Sequence, residues 1–294
     1  MKKPAEKIRR VGLIANPDKA DCCNAVRQAA AVITKSGRAV FSDDVTANLA
    51  GFESSAGPDA ARLADQVDLL VVFGGDGTML RVARDVAGST TPLLGINLGG
   101  LGFLTSSSSA QMGEAFDLIW SGRFAVESRP LIEAAGFAQG RAVNQIALND
   151  FVISRGAIPR LIELKVTVDQ AVLTRYRCDG LIISSPTGST AYSLAAGGAV
   201  VCPDAEVFTL TPISPHTLSN RSVIVNLRSV VEVVVLSQKI ETVLSADGQV
   251  QTQLAGGDAI TVRRSSRSVR LVRLEGISFF ETLRQKLNWS GSTV

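Results

Sequence analysis

Asp68-Leu69-Leu70-Val71-Val72-Phe73-Gly74-Gly75-Asp76-Gly77-Thr78, residues 68–78, sets a single carboxylate in a glycine turn directly after an apolar run. Leu69 to Phe73 is short, apolar and β-branched, the composition of a strand buried in a parallel sheet. From Thr78 to Val86, Met79, Leu80, Val82, Ala83 and Val86 recur at helical spacing. A strand–turn–helix unit places its turn at the carboxyl end of the sheet, where open α/β folds bind ligands. Glycines allow close approach to a phosphate, and the helix start offers free N–H groups to it. A lone acid there would repel an anion if it only bound phosphate. It suits a base, or a metal ligand, at a phosphoryl-transfer site. The same residues also fit ordinary turn chemistry, with Asp76 capping the next helix.

Working outward, the first third alternates strand and helix. Arg10–Ala15 reads as a strand ending at Asn16-Pro17, and residues 20–36 as an Ala-rich helix that Gly37 terminates. A short strand over Ala39–Phe41 and a small, variable segment precede the turn. Pro92–Asn97 is a further strand, leaving through Leu98-Gly99-Gly100-Leu101-Gly102-Phe103. Ser106–Ser109 reads as a loop supplying an N-cap for a helix over Ala110–Trp120. This is the doubly wound, Rossmann-like α/β pattern with parallel strands.

After Phe124 strands dominate: Arg129–Phe137, Asn144–Ser154, Leu161–Val168, Val223–Leu227, Val230–Leu236, Ala259–Arg263 and Val269–Leu274. Tight turns such as Ala138-Gln139-Gly140-Arg141 separate them. The expected organisation is an α/β domain over 1–123 and a β-rich, dinucleotide-binding domain over 124–275. A final helix over 276–294 would return to dock on the first domain, with Phe279, Phe280, Leu283 and Leu287 inward.

Composition bounds the function. The 294 residues suit about two domains, and 46% hydrophobic with 19% charged residues allows a sizeable core. The net charge of +3 fits an anionic small molecule and is too weak to argue for nucleic acid. No long apolar core follows Met1–Lys7, so no secretory signal is expected, and no stretch has the apolar length of a membrane span. Cys22, Cys23, Cys178 and Cys202 have neither disulfide-scaffold nor zinc spacing, so reduced thiols and a cytoplasmic location are expected.

Two further segments carry chemistry. Asn149-Asp150 ends the apolar approach Ile146-Ala147-Leu148, and a side-by-side amide and carboxylate suits a ribose diol or a base edge. The plain alternative is a turn between strands. The other segment runs from Asp179 to Gly198: an apolar strand enters a dense cluster of hydroxyls and glycines, then a short helix start. Hydroxyls with free N–H groups suit sugar and phosphate recognition, and Tyr192 offers a ring to a base. His216, the one histidine, has no partner at metal spacing and reads as structural. The five arginines from Arg263 to Arg273 are not interleaved with aromatics and read as the solvated face of strands.

With these motifs in order and spacing, the chain resembles the NAD kinase family from about Val67 to Trp289. Gly74–Thr78 alone is shared with other kinase families. Thr187–Gly198 together with Asn149-Asp150 and Asp247-Gly248-Gln249 is far more specific. The resemblance implies that ATP phosphorylates the adenosine-side 2′-hydroxyl of NAD to give NADP. It implies Asp76 as the base for that hydroxyl, with Gly77 packing on substrate. Asn149 and Asp150 would contact the adenosine, while Asp179, Thr190, Ala191, Tyr192, Ser193, Leu194 and Ala195 line the dinucleotide site. Arg81, Arg160, Arg177 and Gln249 fall where the family places polar contacts to substrate or phosphates, and Arg177 would favour ATP as donor. The family usually has Glu where Asp150 stands, one methylene longer, and the Arg160 position varies in type.

Phosphoryl transfer needs positioning and charge neutralisation more than covalent catalysis, which fits a chain with no nucleophilic triad. Magnesium would arrive with the ATP, so no metal ligands are assigned to the protein. NAD and ATP are the expected partners, with neither nucleic acid nor membrane, and the resemblance implies a homo-oligomer, dimer or tetramer. A lipid or sphingoid-base kinase would not need Asn149-Asp150 or the hydroxyl cluster. A dinucleotide sensor would not need an acid aimed at phosphates.

Overall fold

The computed structural model describes residues 8–52, 57, 59–100, 102–157, 159–216 and 221–289. The chain divides into two compact units: one runs to Ser128 and resumes at Ser268, the other spans Arg129–Arg267.

The first unit begins β1 (Arg10–Ala15), α1 (Cys22–Lys35), β2 (Ala39–Ser42), α2 (Asp44–Ala50) and α3 (Ala60–Gln66). It continues β3 (Leu69–Gly74), α4 (Asp76–Asp85), β4 (Leu93–Asn97), β5 (Ser107–Ser108) and α5 (Met112–Trp120). β4, β3, β1 and β2 lie side by side in that order, all parallel. Because β2 lies to one side of β1 and β3 to the other, the carboxyl ends of β1 and β3 mark the topological switch point of this sheet. Asn16 and the Gly74–Asp76 turn stand there. The core behind them packs Val11, Leu13, Val71, Phe73 and Ile96 against Val26, Ile33, Phe116 and Ile119.

Several expectations for this unit change. The variable segment after β2 forms α2 and α3, each started by an aspartate: Asp43 accepts from Thr46 N at 2.8 Å and Asp59 from Arg62 N at 2.7 Å. Ser106–Ser109 caps no helix. It contributes β5 and the start of a 3₁₀ turn over Ser109–Gln111, and α5 begins after Gln111 without a side-chain cap.

The second unit is antiparallel throughout. β6 (Phe124–Ala138) enters it, followed by β7 (Arg141–Ala147), β8 (Asp150–Arg155), β9 (Ile162–Val168), β10 (Ala171–Cys178) and β11 (Gly180–Ser184). A 3₁₀ turn over Thr187–Thr190 leads into α6 (Tyr192–Ala195), then β12 (Val207–Ile213), β13 (Val223–Asn226) and β14 (Val231–Val235). β15 (Thr242–Ala246) and β16 (Val250–Leu254) form a hairpin, and β17 (Ala259–Leu274) carries the chain out. One sheet orders β13, β12, β11, β8, β15 and β16. β10, β9, β14 and the first half of β17 form the other face, with the β6–β7 hairpin beside it. Phe151, Ile183, Phe208 and Leu244 from the first sheet share one core with Leu164, Val233, Ile260 and Val262 from the second.

Two strand expectations fail here, for reasons visible in the packing. Asn144–Ser154, expected as one strand, breaks between Ala147 and Asp150. Ala259–Arg263 and Val269–Leu274, expected as two strands, are one of 16 residues. Its arginines stay exposed, and Glu133 and Glu206 neutralise Arg263 and Arg264 at 2.6 and 2.8 Å.

α7 (Phe279–Leu287) follows in the first unit, with Ser278 Oγ accepting from Glu281 N at 3.1 Å. Leu283 is buried and the Phe279 ring lies 6.5 Å from that of Phe103. Phe280, expected inward, is 57% exposed, because the covered stripe of this helix is narrower than its apolar content. Among the described residues no helix is long and apolar enough to cross a membrane.

Candidate active site

In the first unit, β3 delivers Asp76 to the sheet's carboxyl edge as the first residue of α4, behind an extended Gly75. Gly74 has no room for a Cβ, because Thr78 sits against it, and Thr78 Oγ1 accepts from Asn16 Nδ2 at 3.3 Å. The turn is thereby tied to the end of β1. Asp76 does not cap its own helix. Its carboxylate is half-buried and accepts from two backbone N–H groups of the loop after β4: Phe103 at 2.8 Å and Leu104 at 3.1 Å. Charge-assisted bonds of this kind fix a carboxylate's orientation while leaving about two of its four lone-pair sites open.

The donor loop is itself held by Asn97 at the end of β4. Asn97 Oδ1 accepts from Gly99 N at 2.8 Å, and its amide donates to Gly100 O at 2.5 Å and to Thr105 Oγ1 at 3.3 Å. Gly102 lies where any Cβ would fall on Asp76 Oδ1. The glycine run after β4 is therefore the cradle of the acid, a role that sequence reading did not assign to it. Gly77 is exposed beside Asp76. Arg81 lies one turn along α4, in an exposed i,i+4 ion pair with Asp85 at 3.6 Å.

In the second unit, the corner between β7 and β8 presents Asn149 and Asp150, both buried. The corner is fixed from two sides. Asp247, in the β15–β16 turn, accepts from Leu148 N at 3.1 Å, Asn149 N at 2.8 Å and Asp150 N at 3.3 Å. From the hydroxyl cluster, Ser185 N donates to Asn149 O at 2.8 Å and Ser185 Oγ to Leu148 O at 2.6 Å, while Gly188 packs on the Asn149 carbonyl too closely for any side chain. Asn149 Oδ1 is buried and accepts no hydrogen bond. An orphan of that kind costs about 1–3 kcal/mol unless a ligand supplies a donor.

Burial, and secondarily the Asp247 charge, push the Asp150 carboxyl up to about 7. A carboxyl whose pKa rises on folding binds more protons in the native state, so stability is complete below about 4 and falls as pH rises toward 7. Over that window the loss is on the order of 4 kcal/mol. Asp150→Asn mimics the neutral acid. Its unliganded melting temperature is expected to exceed that of the parent by several degrees at pH 8 and to match it near pH 4. A parent whose melting temperature does not fall relative to the variant across this range would contradict the assignment.

The remaining expected residues are spread around this corner and beyond. Asp179, between β10 and β11, pairs with Arg155 at 2.6 Å, both half-buried. Arg155 was not singled out in the sequence. Thr190, Ala191 and Leu194 are half-buried. Ser193 is fully buried, its Oγ 2.9 Å from Thr211 Oγ1. Tyr192 is 47% exposed, and Ala195 and Gln249 are exposed. Arg177 is exposed on β10 opposite Glu163, its carbonyl accepting from His216 N at 2.9 Å. Arg160 is exposed ahead of β9. Among the described residues, no three His, Cys, Asp or Glu side chains cluster to hold a metal ion.

Residues 11–124 match the ATP-NAD kinase N-terminal domain and residues 148–274 the ATP-NAD kinase C-terminal domain. The chain is 38% identical to the NAD kinase of Syntrophotalea carbinolica, over 96% of this chain and 99% of that protein. It is 40% identical to the NAD kinase of Symbiobacterium thermophilum, over 95% and 99%. Yeast NADH kinase complexed with NADH superposes with a TM-score of 0.88 at 26% identity, over 98% of this chain and 89% of that one. An NAD kinase from Archaeoglobus fulgidus in complex with ATP gives 0.75 at 25% identity, over 96% and 100%.

Proposed function

The chain belongs to the NAD kinase family and is an NAD kinase, and from that premise we propose that it transfers the γ-phosphoryl group of ATP to the adenosine 2′-hydroxyl of NAD with Asp76 as base. The observation that carries the base is the Asp76 carboxylate, half-exposed at the carboxyl edge of β3 and aimed by the Phe103 and Leu104 N–H groups. In the step, the ribose oxygen bonds to the γ-phosphorus, the bond from that phosphorus to the β–γ bridging oxygen breaks, and the hydroxyl proton passes to Asp76. ADP leaves with the displaced oxygen. Asn149 and Asp150 hold the adenosine, with the orphan Asn149 Oδ1 accepting from it. Asp179, Thr190, Ala191, Tyr192, Ser193, Leu194, Ala195 and Gln249 line the dinucleotide, while Gly77, Arg81, Arg160 and Arg177 serve substrate or phosphates. The divalent cation belongs to the substrate as MgATP and neutralises charge on the transferred group. Four free thiols fit action in the reducing cytoplasm, and the outer edges of β13 and β16, the two strands that end their sheet, favour a homo-oligomer.

The test is NADP formation by the purified protein from NAD, ATP and magnesium, read by an NADP-specific dehydrogenase. Steady product formation is expected. Dinucleotide binding without product would make the chain a sensor instead, and equal use of inorganic polyphosphate would remove the ATP-selecting role of Arg177.

A further inference from the structure

We infer that Asp247 is a positioning residue for NAD, acting through the backbone of Leu148–Asp150 to hold the Asn149–Asp150 corner in binding geometry. This rests on the reading of Asn149 and Asp150 given above. Three features single Asp247 out. Its carboxylate gathers three consecutive backbone N–H groups, at 3.1, 2.8 and 3.3 Å, across the break between β7 and β8. Its own N–H returns a bond to Asp150 O at 3.0 Å, closing the contact from both directions. Its φ of +51°, followed by Gly248 at +67°, holds the three-residue β15–β16 turn in the left-handed region that an ordinary side chain avoids.

The corner needs such a support. Asn149 and Asp150 are both buried here, and the buried Asn149 Oδ1 has no partner of its own to fix the side chain, so the corner's geometry rests on its backbone bonds. Ser185 and Gly188 hold the carbonyl side, and Asp247 holds the N–H side. Across the sheet, Asp150 faces Ser184 of β11, and β15 places Ala246 opposite Phe151, so the Asp247 carboxylate is the charge that these elements bring to Asp150.

Asp247→Ala removes all three acceptor contacts, and Asp247→Asn keeps an amide oxygen for Asn149 and Asp150 in a residue that tolerates positive φ. For the alanine variant KM for NAD is expected to rise by about tenfold or more, with kcat and KM for ATP within about threefold of the parent. The asparagine variant should recover most of that loss. A merely structural role would lower kcat or raise both KM values together, and that result, or an unchanged KM for NAD, overturns the inference. Should the alanine variant fail to fold, Asp247→Asn decides: a rise of about threefold in KM for NAD at unchanged kcat supports the inference and none overturns it. A parent enzyme that makes no NADP would instead fail the proposed function itself, before Asp247 is tested.

Discussion

Asp76→Asn is expected to lower kcat by about 10²–10⁴-fold while leaving the Kd for NAD within about threefold. The amide is isosteric and stays in the Gly102–Leu104 cradle, keeping one oxygen for Phe103 or Leu104 N–H. It has no lone pair of comparable basicity to take the hydroxyl proton. Binding is spared because the Asn149–Asp150 corner is held by Asp247 and Ser185, neither of which bonds to Asp76. Steady-state kinetics together with calorimetric titration of NAD separates the two effects. Near-normal turnover would remove Asp76 from the base role.

The second large effect is expected from Gly102→Ala. Gly102 does not need left-handed backbone, so the change costs nothing there. What it costs is contact: the new methyl would fall on Asp76 Oδ1 and within 2.8 Å of Thr105 Oγ1. Either the loop withdraws and the Phe103 and Leu104 N–H groups lose the carboxylate, or Asp76 turns away. Both misaim Asp76, so kcat should fall by about ten- to a hundredfold with KM for NAD nearly unchanged if it is the proposed base. Overpacking should also lower stability by about 1–3 kcal/mol, visible as a reduced melting temperature. Parent-like kcat in this variant would show that the cradle does not matter to turnover.

How much of this was legible in the sequence depended on how local each signal is. The β3–turn–α4 unit was readable because an apolar run, three glycines and a helical stripe are all contiguous in the chain. The hydroxyl cluster from Thr187 stood out for the same reason, framed by apolar residues on both sides. The break after Ala147 was legible only as the turn that Asn149-Asp150 also allowed, set against the strand pattern of Asn144–Ser154. It is imposed by the Asp247 carboxylate from 97 to 99 residues away. Asp247-Gly248 did carry a turn signal, but a turn does not say which backbone its side chain will gather. The Asp76 cradle is similar: Phe103 N–H reaches across 27 residues, and the glycine run after β4 reads locally as a plain exit. Phe280 shows the converse failure, where a helical stripe of four apolar residues met a surface that covers fewer of them.

The most direct measurement is a rapid-quench single turnover of Asp76→Asn with NAD and MgATP both saturating. If Asp76 takes the proton during phosphoryl transfer, the first-turnover rate constant falls by the same factor as kcat, with no burst of NADP. A burst at the parent rate followed by slow cycling would place Asp76 in product release and contradict its role as base.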